Sequence, residues 1–234
     1  MLKRRLHVPP ESLYPVDDWR IVERRYSDRY FARAETAFSL SNGYVGVRGT
    51  FEEGRPTRSR GTFINGFHET WPIVHPEESY GLARSGQTMV KAPDATVLRL
   101  FVDDEPLYLP TARMKEYTRV LDMRAGTLTR ELIWSTPAGK HVAVRSCRFV
   151  SLEHRHVVAI SYEVVLLDHA APVTICSELV NCEDMPVEHA DRPADPRVGH
   201  ELPQRVLNAM FLRTTLIATI AWRARPCLRG CLFL

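Results

Sequence analysis

The chain has 234 residues, of which 44% are hydrophobic and 25% are charged, and its formal net charge is +3. These proportions are typical of a folded globular protein, and a chain of this length buries roughly 70% of its unfolded surface. The near balance of 31 basic and 28 acidic residues gives no support for a nucleic-acid-binding surface. No apolar run reaches the roughly 18 residues that a membrane-spanning helix needs, so we expect no membrane partner.

The sequence contains five cysteines, at Cys147, Cys176, Cys182, Cys227 and Cys231. None of them forms a CxxC pair, and the basic start of the chain has no apolar stretch behind it that would make a secretory signal. We therefore expect a reduced, cytoplasmic protein that uses neither a metal nor a cofactor.

The middle of the chain is predicted to consist mostly of strands. The candidate strands are residues 97–102, 127–134, 141–150, 156–167 and 172–181. The second and third are joined by 137–140, a Pro-Ala-Gly-Lys sequence that predicts a hairpin. Short connections between successive strands favour an antiparallel β-sandwich over βαβ units, so we predict a mainly β fold. Residues 1–30 are predicted to be an irregular entry segment, and no helix of convincing length is predicted.

A glycine-rich segment lies at residues 35–50. Its Asn42-Gly43 pair, flanked by apolar and aromatic residues, predicts a strand, a tight turn and a second strand. The spacing of Gly43, Gly46 and Gly49 superficially suggests a loop that cradles phosphate, but no buried strand precedes it and no helix follows it. We interpret these glycines as permitting the turn and a close approach of strands.

Paired carboxylates could mark the active site of a glycosidase. The adjacent acids are Asp17-Asp18, Glu52-Glu53, Glu77-Glu78, Asp103-Asp104-Glu105 and Glu183-Asp184. All lie in polar, turn-like segments, and neighbours on a strand point to opposite faces, so we interpret them as solvated turn residues. His154 and His156 would lie on one face of a strand and suit metal binding or acid–base chemistry, or else an exposed strand edge; no third ligand is apparent.

An aromatic segment at residues 63–72 has the composition of a carbohydrate-binding loop. Aromatic rings contact the C–H faces of sugars, and polar side chains bind sugar hydroxyls. The candidate substrate-binding residues are Phe67, His68, Glu69 and Trp71. A core aromatic cluster is the competing interpretation and the one that the composition favours.

The last 27 residues differ in composition from the rest of the chain. From Asn208 to Leu234 there is no Asp, Glu or Lys, but there are four arginines. Such a tail is either a basic interaction segment or a stretch produced by a shifted reading frame, and we favour the second interpretation. We therefore predict a domain at 1–207 and an atypical tail at 208–234.

Several short motifs resemble, in the right order, the N-terminal region of glycoside hydrolase family 65. The segment 35–49 resembles a motif near the start of these proteins, 61–69 resembles their Gly-Thr-Tyr segment, and 121–130 resembles their Leu-Asp-Met-Arg strand and turn. The segments 135–140 and 148–152 also match. The resemblance covers about residues 13 to 207.

The resemblance implies an antiparallel β-sandwich of the galactose mutarotase type, incomplete at its C-terminal end. In the family an (α/α)6 barrel follows and carries the catalytic Glu, and inorganic phosphate is a co-substrate in cleavage of α-linked glucose disaccharides. The resemblance assigns no catalytic residue to this chain, which we expect to be inactive alone and poorly stable without further strands. It also implies a barrel partner and a homodimer. The alternatives are a stand-alone carbohydrate-binding sandwich, a module that docks on a separately encoded barrel, and a mutarotase using His154 and His156.

Overall fold

The computed structural model describes residues 8–58, 60–77 and 79–181, together with the backbone of 221–223 and 227–233. The described residues form strands and one short helix. In chain order these are β1 (Arg20–Glu23), α1 (Phe31–Ala37), β2 (Leu40–Ser41), β3 (Val45–Val47), β4 (Thr62–Pro72), β5 (Ser85–Ala92), β6 (Asp94–Val102), β7 (Glu105–Pro106), β8 (Arg113–Asp122), β9 (Thr127–Ser135), β10 (His141–Val150), β11 (Val158–Leu166), β12 (Val173–Val180), β13 (Ala221–Arg223) and β14 (Cys227–Phe233).

The strands form three antiparallel sheets. The largest has the order β1-β8-β9-β10-β11-β14-β13, and two smaller sheets have the orders β12-β6-β7 and β2-β3-β4-β5. Side chains of the two smaller sheets pack on one face of the largest sheet. The predicted mainly β, antiparallel sandwich architecture is confirmed.

Local turn chemistry explains the predicted hairpins. The loop 137–140 joins β9 to β10, as predicted, and Gly139 has a φ of +86°. In the β2–β3 turn, Gly43 has a φ of +84°, which favours glycine. The side-chain oxygen of Asn42 accepts hydrogen bonds from the amides of Tyr44 and Val45 at 3.0 and 2.9 Å. These contacts close the turn and confirm the prediction at Asn42-Gly43.

Two elements near the start of the chain differ from the prediction. Residues predicted to be irregular include β1, which pairs with β8 from Arg20 to Glu23. The predicted first strand of 35–50 begins only at Leu40, because Glu35–Ala37 are the last turn of α1. This helix has seven residues, no side-chain cap and no acidic residue in its first turn. It is therefore stabilised by tertiary packing and cannot be predicted from the local sequence.

The sandwich core contains two apolar clusters. The first lies between β6 and the largest sheet and includes Leu100, Trp134 and Val142. The second lies under α1 and the β2–β3 hairpin and includes Phe38 and Leu128. Since neighbouring strands of the largest sheet contribute to both, the clusters lie at opposite ends of the same strands.

The C-terminal part of the largest sheet is formed by β13 and β14. The backbone of β14 pairs with β11, and β13 pairs with β14. The predicted boundary at Leu207 and the segment 208–220 lie outside the described residues. In the part of the chain that the structure describes, no helix is long and apolar enough to cross a bilayer.

Candidate functional site: an exposed arm and a buried charge row

The strands β4 and β5 extend beyond the sandwich as a two-stranded arm, which we define as residues 67–77 and 79–89. The inner part of β4, residues 62–64, pairs with β3, whereas the register with β5 shifts between Phe63 and His68. Gly66 lies at this shift with a φ of +84°. Among the described residues, the part of β4 beyond Gly66 pairs only with β5, and most of its side chains are exposed.

The four predicted substrate-binding residues all lie on this arm. Because successive side chains of a strand point to opposite faces, Phe67, Glu69 and Trp71 share one face and His68 lies on the other. Phe67 is 38% exposed and Trp71 is half-buried. The favoured interpretation of a core aromatic cluster is therefore wrong, because β4 has already passed the end of β3 where these residues occur.

Trp71 is held flat against the arm. Its indole N–H donates a hydrogen bond to the hydroxyl of Thr88 at 2.9 Å. The ring covers Gly86, where an added Cβ would lie 2.4 Å from a ring carbon. Gly86 and Thr88 lie on the same face of β5 as Val90, which is buried in the sandwich. The face that carries Trp71 is thus an outward continuation of the side of the sheet that packs on the core.

The histidine pair is not arranged as predicted. His154 and His156 lie in the loop between β10 and β11, and both are exposed, because β11 begins only at Val158. The ring of His156 packs edge-on against Tyr44 at 4.8 Å and accepts a hydrogen bond from Nε of Arg155. The predicted placement of His154 and His156 on one face of a strand is therefore wrong. Among the described residues, no three His, Cys, Asp or Glu side chains are grouped as a metal site.

The Glu52-Glu53 pair contradicts the interpretation of adjacent acids as solvated turn residues. Both carboxylates are buried in the interior of the sandwich, on the loop that follows β3. By contrast, Asp17 and Asp18 are exposed as predicted. The pair Glu183-Asp184 lies outside the described residues.

Two arginines from the largest sheet neutralise these glutamates. Arg130 on β9 donates two hydrogen bonds to Glu53, at 2.7 and 2.5 Å, and its Nη2 lies 3.0 Å from Glu52. Arg148 on β10 donates to Glu52 at 3.0 Å. The Tyr162 hydroxyl donates to Glu53 at 3.2 Å. Bidentate guanidinium–carboxylate contacts of this kind are directional, so they fix the loop against the sheet.

The charges of the neighbouring arginines keep Glu52 ionised. Burial alone would raise the pKa of Glu52, but the charges of Arg130, Arg148 and Arg119 outweigh burial and lower it to about 2. Burial and the neighbouring Glu53 carboxylate raise the pKa of Tyr162 well above its usual value. Glu52 therefore carries a negative charge at neutral pH.

Arg130 belongs to a polar row that crosses the largest sheet, and Arg148 lies beside this row on β10. Its members face one another in register across β1, β8, β9, β10 and β11. They are Glu23, Arg119, Arg130, Ser146 and Tyr162, and all five are buried. We call these five residues the charge row. On β8, β9 and β10 it lies between the two apolar clusters, because each of these strands contributes apolar residues to both, whereas Tyr162 on β11 belongs to the first cluster.

A sequence signal for the charge row exists but is not visible from adjacent acids. Arg130 alternates with Leu128 and Leu132 on β9, and Arg148, beside the row, lies between Ser146 and Val150 on the buried face of β10. An arginine in an otherwise apolar period of two predicts a buried partner.

The sequence matches one family model and several curated proteins. The model of the family "Glycosyl hydrolase family 65, N-terminal domain" matches residues 21–225. An uncharacterized glycosyl hydrolase of Mycobacterium tuberculosis (strain ATCC 25618 / H37Rv) is 40% identical over 92% of this chain and 27% of its own length. The alpha,alpha-trehalose phosphorylase of Thermoanaerobacter brockii is 39% identical over 86% of this chain and 26% of its own length.

A solved structure has the same fold. A putative kojibiose phosphorylase from human microbiome superposes with a TM-score of 0.58 at 22% identity, covering 66% of this chain and 20% of that one. The chain spans about a quarter of the length of the curated relatives that it matches. The match over residues 21–225, on an antiparallel sandwich of this kind, shows that the chain belongs to glycosyl hydrolase family 65 and corresponds to its N-terminal domain.

Proposed function

We propose that this chain is the non-catalytic β-sandwich domain of a cytoplasmic glycoside phosphorylase or hydrolase that acts on disaccharides of α-linked glucose. The observation that carries the proposal is the 39% identity to a trehalose phosphorylase over 86% of the chain. In such an enzyme the general acid and the phosphate co-substrate belong to a separate barrel domain. The sandwich supports that barrel.

The buried glutamates support a structural role for the sandwich. A general acid for glycoside cleavage must be protonated near the working pH and must reach the glycosidic oxygen. Glu52 has a pKa of about 2 and is bound to Arg130 and Arg148, and Glu53 is bound to Arg130. These carboxylates are committed to holding the fold together.

The arm supports a contribution to substrate binding. Phe67, Glu69 and Trp71 lie on one face that projects past the core, so this face is available to a neighbouring active site. An indole ring packs well against the C–H face of a glucose unit, and a carboxylate accepts hydrogen bonds from its hydroxyls. We propose that the arm lines the mouth of the active site in the intact enzyme.

A chimera tests both parts of the proposal. The N-terminal quarter of the Thermoanaerobacter brockii trehalose phosphorylase is replaced by this chain, and phosphorolysis of trehalose is measured. We expect the chimera to be active, and Trp71→Ala to raise KM several-fold while kcat stays unchanged. Trp19→Ala is the control, because Trp19 is also exposed, at 49%, but lies away from the arm.

Two outcomes would reject parts of the proposal. A folded but inactive chimera would reject the supporting role of the sandwich. An active chimera in which Trp71→Ala and Trp19→Ala have the same KM would reject the role of the arm.

The exposure of the arm also supports a second candidate, a stand-alone carbohydrate-binding sandwich. That function predicts that trehalose or kojibiose changes the tryptophan fluorescence of the chain itself in a saturable way, and that Trp71→Phe abolishes the change. A chain that docks on a separately encoded barrel would show no such change without the barrel.

A homodimer is a further part of the proposal, and β5 offers a surface for it. In the described part of the sheet β5 is the edge strand, and its Met89 is 48% exposed. An edge strand with free backbone groups pairs readily with another strand. Light scattering during size-exclusion chromatography gives the mass of the particle in solution. A monomer mass at all concentrations would reject the dimer.

A further inference from the structure

The base of the arm is closed by a buried ion pair. Arg60 lies two residues before the start of β4, and Asp94 lies two residues after the end of β5. Between them, Thr62 and Ala92 are cross-strand partners. The pair therefore brackets the whole stretch of chain that leaves the sandwich to form the arm and returns to it.

The two side chains are held tightly on the sandwich side. Nη1 of Arg60 lies 2.6 Å from Oδ2 of Asp94, and both side chains are almost fully buried. The other oxygen of Asp94 accepts hydrogen bonds from the amide and the hydroxyl of Thr96 at 2.8 and 2.7 Å. The Asp94 carboxylate is thereby held at the start of its own strand, β6, which is the central strand of its sheet.

The second donor of Arg60 reaches a different part of the fold. Its Nη2 donates to the carbonyl oxygen of Gly54 at 2.5 Å. Gly54 directly follows Glu52 and Glu53, which Arg130 and Arg148 hold against the largest sheet. Arg60 thus connects the start of β4 both to β6 and to the anchored loop.

In the described part of the chain, few other contacts fix the direction of the arm. Asn65 binds the β2–β3 turn, since its backbone amide donates to the carbonyl of Tyr44 at 2.8 Å and its side chain donates to the carbonyl of Gly43 at 3.2 Å. Beyond Asn65 the described side chains of β4 are mostly exposed. An apolar contact at the base would tolerate rotation, whereas two guanidinium hydrogen bonds at fixed angles do not.

We propose that Arg60 and Asp94 are a positioning pair that fixes the direction of the arm and so presents the face of Phe67 and Trp71 to its ligand. The part that concerns the ligand rests on the function proposed above. The part that concerns the direction of the arm does not.

Tryptophan residues of the full chain report on the pair. The chain is labelled with 5-fluorotryptophan, and the ¹⁹F resonance of Trp71 is assigned with Trp71→Phe. Trp134, which is 2% exposed in the first apolar cluster, reports on the core. In Asp94→Asn we expect the Trp71 resonance to shift or broaden and the Trp134 resonance to stay in place.

The matched control is Glu178→Gln, which also converts a carboxylate to an amide. Glu178 forms an exposed ion pair with Arg99 on β6 at 3.0 Å, away from the arm. We expect neither resonance to change in this variant. If Asp94→Asn does not fold, Arg60→Lys replaces it, because lysine keeps the charge but cannot bind Asp94 and Gly54 through one rigid fork.

The outcomes are distinct. Equal shifts of the Trp71 and Trp134 resonances would overturn the proposal, because the ion pair would then act on the stability of the whole fold. No shift of the Trp71 resonance would also overturn it, because the ion pair would then have no effect on the arm. Titration with trehalose separates this proposal from the previous one, and it is carried out on the trehalose phosphorylase chimera described above, in which the barrel is present. We expect the midpoint read from Trp71 to rise roughly tenfold in Asp94→Asn.

Two results of the titration are decisive. An unchanged midpoint in Asp94→Asn would overturn the presentation of the face to the ligand. If the wild-type Trp71 resonance ignores trehalose but moves in Asp94→Asn, the positioning of the arm is supported and the sugar site is rejected.

Discussion

At the scale of single residues, Glu52 shows how arginines change the chemistry of a buried carboxylate. Isolated in the core, it would be protonated at neutral pH, because burial disfavours the charged form. The charges of Arg130 and Arg148 reverse this and lower its pKa to about 2. The ionised form of Glu52 therefore contributes to the stability of the folded state.

The lowered pKa of Glu52 predicts a loss of stability in acid. The contribution is fully present above the unfolded value of 4.5 and is lost as the pH falls through the folded value of about 2. Its size is about 3 kcal/mol. Urea unfolding between about pH 6 and pH 2 should show a steeper decline for the wild type than for Glu52→Gln.

An exposed glutamate provides the control for the acid experiment. Glu131 pairs with Arg145, and both side chains are more than half exposed. We expect Glu131→Gln to keep the wild-type pH dependence. Parallel curves for the wild type and Glu52→Gln would contradict the assignment.

At the scale of elements, the contact between the segment that follows β3 and the end of α1 depends on a glycine. The amide of Gly49 donates to the carbonyl of Glu35 at 2.8 Å, and a Cβ at position 49 would lie 2.6 Å from Cβ of Phe38 and 2.7 Å from its carbonyl oxygen. Because backbone atoms block the space, Gly49→Ala must push the helix and this segment apart.

Gly49→Ala is expected to lower the free energy of unfolding by about 1–3 kcal/mol, a cost typical of overpacking. The matched control is Gly46→Ala in the same glycine-rich segment, where the nearest atom to an added Cβ is Oγ of Ser41 at 3.5 Å. Denaturant midpoints measure the difference. Equal midpoints for the two variants would contradict the close approach.

The elements that are predicted well from the sequence are those whose hydrogen bonds join residues close together in the chain. The β2–β3 and β9–β10 hairpins have their turn residues in the chain itself, at Asn42-Gly43 and 137–140. The strand β1 and the helix α1 carry no such signal, since their partners lie far along the chain. The aromatic residues 67–71 look like core residues in sequence, and only the register shift at Gly66 places them outside it.

In the candidate site, too, local features are predictable from the sequence and long-range contacts are not. The sequence identifies Phe67, Glu69 and Trp71 by composition, and strand alternation then places them on one face. It places Glu52 and Glu53 in a turn, which is correct, but the turn is buried among arginines from strands roughly eighty residues or more away. Adjacent acids alone cannot reveal a partner so distant in sequence.

At the scale of the whole molecule, the charge row joins the two apolar clusters of the core. Arg130 lies at its centre and binds both Glu52 and Glu53. Removing one partner of a buried ion pair leaves the other charge unpaired and desolvated. Loss of Arg130 should therefore affect both halves of the sandwich together.

Arg130→Met is expected to destabilise the fold by roughly 3–5 kcal/mol. The control is Arg145→Met, which removes an exposed ion pair and should cost less than about 1 kcal/mol. Urea unfolding followed by circular dichroism gives both values. A loss for Arg130→Met no larger than for Arg145→Met would show that the charge row adds little to stability.

The charge row also constrains how the sequence of this domain can change. Its buried ion pairs make each member depend on the others, so single substitutions are costly, whereas joint replacement by apolar residues of matched volume is often neutral or favourable. A scan of single variants would therefore record Glu52, Glu53 and Arg130 as intolerant. A library that randomises these positions together should recover apolar combinations that fold. A change from the charged core to an apolar core by single substitutions would pass through unstable variants.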